Sequence, residues 1–142
     1  MKHKPVVIFD IDGTLADTQR IHEKIESDFL ASKWVRIEPV LIGKTYAGRS
    51  PSEWIPECLH ENNVIFHIDE IDHFIDSKDM RVIDLLKNGN IVLMDGVKEV
   101  LKTFFDQGMK LGISSWACRE FIDEFLIYFD LDVIDATTSA NE

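Results

Sequence analysis

The feature that most constrains this chain is a short apolar segment that runs directly into two aspartates. Residues 6–9 read Val-Val-Ile-Phe, and Asp10-Ile-Asp12-Gly13-Thr14 follows at once. Four consecutive apolar residues rich in β-branching predict a buried strand, and Gly13 lets the chain turn sharply after it. Ligands bind at the carboxyl ends of strands in α/β sheets, so the pattern places Asp10 and Asp12 at a candidate site.

Paired carboxylates such as Asp10 and Asp12 repel each other unless a cation or a shared proton intervenes. A hard divalent ion such as Mg²⁺ accepts oxygen ligands of this kind. One carboxylate can then act as a nucleophile while the other donates and accepts protons. A solvated turn is the alternative interpretation. The order of strand, acid pair, Gly-Thr and a second Asp-Thr at residues 17–18 favours the functional one.

Composition restricts the partners of the chain. The 142 residues carry a net charge of −11, which disfavours nucleic acid and anionic membranes as partners. No apolar run reaches membrane-spanning length, and residues 6–9 are too short for a signal-peptide core. Cys58 and Cys118 fit no metal or redox spacing. We therefore expect a cytoplasmic protein that binds neither nucleic acid nor membranes.

Hydrophobic periodicity divides the chain into helical and α/β regions. It predicts helices over residues 18–33, 52–60, 69–87, 97–106 and 119–129, and further strands over 110–114 and 132–136. Thr18 is a candidate cap for the first helix. The region between the first two helices, with Pro39 and Gly43, is expected to be looser. Trp34 and Trp54 lie on apolar helical stretches and are expected in the core.

These elements predict an α/β fold with a split core. Strands that alternate with helices at this spacing favour parallel pairing with right-handed crossovers. Residues 1–17 and 91–142 are expected to form a partial Rossmann-like core with a parallel sheet, and residues 18–90 a helical cap inserted after the first loop. An insertion at that point could act as a lid over the site.

Three further segments are candidates for holding an anion. Ser115 and Trp116 follow the second strand, where a hydroxyl and backbone N–H groups suit a phosphate, although a helix cap is the alternative. Gly13 and Thr14 could supply backbone donors beside the acid pair. In the insertion, the guanidinium of Arg49 could grip a phosphate or carboxylate, and an exposed loop is the alternative there.

Residues 9–18, Phe-Asp-Ile-Asp-Gly-Thr-Leu-Ala-Asp-Thr, resemble the first motif of the haloacid dehalogenase-like hydrolase superfamily. The likeness is greatest to the branch with phosphoglycolate phosphatase and β-phosphoglucomutase, which carries a helical cap at the same point. The resemblance implies that Asp10 is the nucleophile that forms an aspartyl-phosphate, that Asp12 is the general acid/base, and that both bind Mg²⁺. It also implies that Ser115 is the second-motif phosphate ligand, although Trp116 departs from the small residue often found there.

The pattern of that family is present only in part. Its third motif is a lysine and its fourth an acidic pair, yet no lysine or arginine follows Arg119. We expect weaker Mg²⁺ binding and an exposed sheet edge that invites self-association. The chain is interpreted as a truncated piece of a longer phosphatase-like protein, with a natural short form that pairs with itself as the alternative.

The leading functional hypothesis is a Mg²⁺-dependent phosphomonoester hydrolase that acts on a small phosphorylated metabolite. A sugar phosphomutase of the same family is one alternative. The other is a non-catalytic or regulatory module that keeps the fold without the chemistry. The sequence identifies neither the substrate nor the oligomeric state, and whether the 142-residue form turns over substrate stays open.

Overall fold

A computed structural model describes residues 4–140 of the chain. Its elements follow in the order β1 (Val6–Phe9), α1 (Gln19–Ser32), α2 (Pro39–Tyr46), α3 (Pro51–Glu61), α4 (Ile68–Lys87), α5 (Val97–Asp106), β2 (Lys110–Ser114), α6 (Arg119–Phe129) and β3 (Ala136–Thr138). None of the described helices combines the length and apolar character needed to cross a membrane.

The chain divides into two compact units. The first joins the chain up to Thr18 with the chain from Ile83 onward, and the second comprises Gln19–Val82. The second unit is entirely helical and ends inside α4. Its role as the cap expected over residues 18–90 stays a prediction.

The first unit contains the parallel sheet that the sequence predicts. The strand order is β1-β2-β3, and both pairings are parallel. Phe9 at the end of β1 pairs with Ile113 of β2, and Ser114 at the end of β2 pairs with Thr138 of β3. The carboxyl ends of all three strands therefore meet at one edge of the sheet, and β2 is the central strand.

The core of this unit lies against β2 and the two helices that flank it in sequence. α5, β2 and α6 have the predicted bounds. Buried side chains come from each of them, and the largest contributors are Leu101, Leu111, Ile113, Phe121, Ile122 and Phe125. Two apolar residues of α5, Val100 and Phe105, are 43% and 52% exposed, so only part of the apolar pattern of this helix is buried.

Two strand predictions were wrong in detail. β1 was expected to be buried, but it lies at the edge of the sheet formed by the described residues, and Val6 and Ile8 are 64% and 67% exposed. β3 was expected over residues 132–136 and begins only at Ala136. Leu131 and Ile134 are held in turns after α6 by bonds to the carbonyls of Leu126 and Leu131, so the chain enters the sheet late.

The second unit contains a helix that the sequence analysis did not predict. α2 begins at Pro39, whose ring favours the first helical position, and it continues through Gly43. A Cβ atom at Gly43 would come within 1.9 Å of Glu23 Oε1 on α1. Glycine therefore leaves room beside α2 for the end of the flexible Glu23 side chain, and the helix forms despite the low helix propensity of glycine.

The two tryptophans of this unit differ from each other. Trp54 is buried, as predicted, but Trp34 is 90% exposed and has a φ of 65°. It occupies the left-handed turn after α1, where the N–H of Val35 bonds to Leu30 O. The prediction of a core position for Trp34 was wrong because α1 ends at Ser32, before that side chain can join its buried face.

Candidate active site

The candidate nucleophile Asp10 directly follows β1. The backbone N–H of Ile11 donates to its Oδ1 at 2.8 Å. Loss of solvent around the carboxyl group raises the pKa of Asp10, the bond from Ile11 opposes this rise, and the nearby charge of Asp12 adds to it. The two carboxyl groups therefore interact electrostatically, which is the arrangement that the Asp-x-Asp pattern predicts.

Asp12 accepts a hydrogen bond from Thr18, a residue that was predicted only to cap the first helix. The hydroxyl of Thr18 donates to Asp12 Oδ1 at 2.5 Å, and Thr18 is fully buried. Thr18 had been considered only as a cap for α1, which begins at the next residue. The only sequence signal for this contact was the hydroxyl six residues after the acid, and that spacing alone does not single it out.

The loop of residues 11–16, which follows Asp10, is held together by its own backbone hydrogen bonds. The N–H groups of Thr14, Leu15 and Ala16 all donate to Ile11 O, at 3.1, 2.9 and 3.0 Å. Gly13 has a φ of 72°, and its N–H donates to Ala16 O at 2.8 Å. The predicted phosphate donors Gly13 and Thr14 thus use their N–H groups within the loop, and their role at a ligand stays a prediction.

Residues 92–94 form backbone hydrogen bonds with the end of this loop. The N–H of Asp17 donates to Val92 O at 3.0 Å, and the N–H of Met94 donates to Leu15 O at 2.9 Å. Residues 92–94 thereby act as a short extended partner for residues 15–17. The sequence analysis did not anticipate this pairing, because two or three residues give too little periodicity to indicate a strand.

Ser115 lies at the carboxyl end of β2, as predicted. It is buried, its N–H donates to Thr138 O at 3.2 Å, and its Oγ accepts a bond from the N–H of Ala117 at 3.1 Å. Trp116 beside it is 67% exposed. The sheet register pairs Phe9 with Ile113, which brings Asp10 and the Ser114-Ser115 segment to adjoining strand ends.

A cationic side chain borders the β3 end of the same edge. Arg119 Nη1 donates to Thr137 Oγ1 at 2.6 Å, and its guanidinium also lies 3.5 Å from Asp123. The sequence analysis noted Arg119 only as the last basic residue. The contacts with Thr137 show that it also joins the beginning of α6 to β3.

Arg49 lies in the second unit, between α2 and α3. Its Nη2 donates to Glu57 Oε2, and its guanidinium carbon is 6.0 Å from the centre of the Tyr46 ring. Gly48, with a φ of 78°, turns the chain just before it. Arg49 is exposed, as a ligand-binding residue requires, and it already has an acidic partner.

The acid pair is a partial donor set for a metal ion. Among the described residues, no group of three or more histidine, cysteine, aspartate or glutamate side chains converges on one point. Mg²⁺ commonly keeps several waters and binds one or two carboxylates together with the phosphate of a substrate. Asp10 and Asp12 fit that mode, because they offer only oxygen atoms and repel each other in the absence of a cation.

Comparison with known proteins adds to this geometry. The sequence profile described as haloacid dehalogenase-like hydrolase matches residues 7–142. Protein CbbY of Rhodobacter capsulatus is 23% identical over 125 residues, which are 84% of this chain and 54% of that protein. The chain thus spans about half the length of this curated relative.

Two solved structures share the fold. A conserved haloacid dehalogenase-like protein of unknown function from Agrobacterium tumefaciens has a TM-score of 0.76 and 23% identity, over 98% of this chain and 60% of that chain. CbbY from Rhodobacter sphaeroides, crystallised with phosphate, has a TM-score of 0.76 and 18% identity, over 98% of this chain and 64% of that chain.

Proposed function

Because this chain belongs to the haloacid dehalogenase-like hydrolase family, we propose that it carries the nucleophile and the acid/base of a phosphomonoester hydrolase. The observation that carries the proposal is the electrostatically coupled pair of Asp10 and Asp12 at the carboxyl end of β1. The chain spans 54–64% of the relatives described above, so activity of the whole protein belongs to the proposal.

In the proposed reaction, a carboxylate oxygen of Asp10 attacks the phosphorus of the ester. The bond from phosphorus to the ester oxygen breaks, and Asp12 donates a proton to that oxygen, so an alcohol leaves and an aspartyl-phosphate remains. Asp12, now a carboxylate, takes a proton from water as the water attacks phosphorus. Inorganic phosphate leaves, and both aspartates return to their starting states.

The contacts of each acid support the division of roles. Asp10 accepts a bond from the backbone N–H of Ile11, and its side chain is exposed, so a substrate can reach it. The bond from Thr18 orients the carboxyl group of Asp12, the proposed proton donor and acceptor. Asp10 and Asp12 would hold Mg²⁺, and the positive charge of a bound ion would keep the nucleophile ionised.

We propose a small phosphorylated metabolite as the substrate. Rhodobacter sphaeroides CbbY has been crystallised with phosphate, and the hydroxyls of Thr14 and Ser115 together with the backbone N–H of Trp116 are the proposed phosphate contacts here. Arg49 is the proposed contact from the insertion. The net charge of −11 repels a phosphate at long range, so capture depends on these local groups and on the cation.

The test is hydrolysis of p-nitrophenyl phosphate by the 142-residue chain with and without Mg²⁺. We expect turnover that requires Mg²⁺ and is lost in Asp10→Asn, because an amide is a far weaker nucleophile. Asp132→Asn, which removes the same charge at an exposed site of the same unit, should keep the activity.

The thermal stability of Asp10→Asn separates lost chemistry from lost folding. The folded state raises the pKa of Asp10, so ionisation of this group weakens the fold as pH rises through that pKa. The variant should therefore melt at or above the temperature of the parent at neutral pH without Mg²⁺. Unchanged hydrolysis in Asp10→Asn would falsify the nucleophile assignment.

A non-catalytic module that keeps the fold is the second candidate, because two carboxylates without a third protein ligand among residues 4–140 hold Mg²⁺ only weakly. That function predicts no Mg²⁺-dependent hydrolysis by the 142-residue chain and no change in stability with Mg²⁺. Stabilisation by Mg²⁺ that disappears in Asp12→Asn would instead support the enzyme.

A further inference from the structure

The strongest unexplained feature of the second unit is the acidic partner of Arg49. Glu57, one and a half turns into α3, receives a hydrogen bond from Arg49 Nη2. Both side chains are partly exposed, at 41% for Arg49 and 50% for Glu57. Glu53, one turn before Glu57, adds a second negative charge that acts on the same guanidinium. An anion that approaches Arg49 therefore meets a group that is already occupied.

The guanidinium of Arg49 also packs on an aromatic ring, which in turn stacks on a buried one. Its guanidinium lies over the ring of Tyr46, and Tyr46 stacks on Trp54 with ring centres 4.2 Å apart and planes 14° from parallel. Trp54 is 2% exposed. Burial and a bond with Cys58 raise the pKa of the Tyr46 hydroxyl to about 12, so this ring stays neutral. The stack anchors the guanidinium to the core of the unit.

We infer that Glu57 is a built-in competitor at Arg49, which an incoming phosphate group must displace, and that it thereby raises the intrinsic affinity that an anion needs to occupy Arg49. This inference rests on the proposed function, since it assumes that Arg49 contacts the substrate. It concerns a positioning residue, because Glu57 acts through Arg49.

Charge and shape explain why a phosphate can win this competition. Glu57 is a monoanion and is partly exposed, so its pairing with Arg49 is weak. A phosphate monoester carries nearly two negative charges at neutral pH and three acceptor oxygens, and the guanidinium fork can bind two of these at once. A carboxylate ligand has no such advantage over Glu57. The pair lowers the affinity of Arg49 for both kinds of ligand, so a phosphate still displaces Glu57 at concentrations at which a carboxylate does not.

The test is a titration of the full chain with inorganic phosphate, followed by the Nε–Hε NMR signal of Arg49. Arg49→Lys identifies that signal among the arginines and removes the planar fork. We expect Glu57→Gln to tighten phosphate binding at Arg49 by roughly two- to fivefold, the range for loss of an exposed ion pair. Acetate affinity should rise by a similar factor, because either anion displaces the same ion pair.

Glu53→Gln is the matched control, because it removes the same charge from α3 without breaking the hydrogen bond to Arg49. It should change phosphate affinity by less than about twofold. Unchanged or weaker phosphate binding in Glu57→Gln, an equal gain in Glu53→Gln, or no response of Arg49 to phosphate in any variant would overturn the inference. None of these readouts uses turnover, so failure at Asp10 and failure at Glu57 are distinguishable.

Discussion

A buried ion pair in the second unit offers the sharpest test of its packing. Lys78 Nζ on α4 lies 2.5 Å from Glu26 Oε1 on α1, and the two side chains are only 7% and 9% exposed. We predict that Lys78→Met destabilises the protein strongly, because it leaves the carboxylate of Glu26 buried without its cation. Breaking a buried pair from one side typically costs about 3–5 kcal/mol.

That loss is large relative to the stability available. At typical values per residue, the 64 residues of Gln19–Val82 have an unfolding free energy of roughly 3–10 kcal/mol. Lys78→Met should therefore remove about a third or more of this stability. The double variant Glu26→Leu/Lys78→Met should recover most of the loss, because well-packed apolar residues replace buried pairs at little or no cost.

Urea unfolding followed by far-UV circular dichroism measures these differences, with global fits that allow each unit its own transition. Lys102→Met is the matched control: its partner Asp106 is one turn away, and the two side chains are 75% and 56% exposed. It should cost at most about 0.5 kcal/mol. A loss below about 1 kcal/mol in Lys78→Met, or a double variant no more stable than the single one, would refute this account of the pair.

Two further predictions concern backbone strain and acid sensitivity. Trp34→Gly should stabilise the protein by about 0.5–1 kcal/mol, because the φ of 65° strains a bulky residue whose side chain is 90% exposed, and a rise in melting temperature checks this. Lys110 and the N–H of Leu111 lower the pKa of Asp135. The ionised Asp135 therefore stabilises the fold above the ordinary aspartate pKa, and this stabilisation is lost as pH falls through the lowered pKa. In Asp135→Asn, the free energy of unfolding should fall less steeply as the pH is lowered into the acid range. An unchanged pH dependence would contradict the stabilising role of the ionised Asp135.

The parts of the fold that the sequence predicted well share strong local periodicity. α5, β2 and α6 have the expected bounds because each carries a regular apolar pattern and clear end signals such as Gly96 and Gly108. β3 was misplaced because Asp130 takes a left-handed conformation after α6 and the side chain of Asp135 bonds to the N–H of Leu111 instead of continuing a strand. Such contacts join residues far apart in sequence, and local patterns do not contain them.

In the candidate site too, local sequence patterns predicted some features, and others depend on contacts between distant residues. The positions of Asp10, Asp12 and Ser115 follow from the ends of predicted strands, and the register of β1 with β2 brings those ends together. The bond from Thr18 to Asp12 and the pairing of residues 15–17 with 92–94 depend on the folded loop. Sequence therefore predicted which residues carry reactive groups, and the structure adds the contacts that orient them.

The hydrogen bonds of the site also indicate where positive charge for a phosphoryl group must come from. The N–H groups of Gly13 and Thr14 bond within the loop, that of Ser115 bonds to Thr138, and that of Ala117 bonds to Ser115 Oγ. In the described part of the chain, these four backbone donors have internal acceptors and contribute little to an added anion unless those bonds exchange. Hydroxyls alone do not neutralise a phosphoryl dianion beside two carboxylates. The acid pair therefore requires a bound cation when a phosphoryl group is present. For this reason, the dependence of hydrolysis on Mg²⁺ tests the proposed chemistry more directly than any single contact to phosphate does.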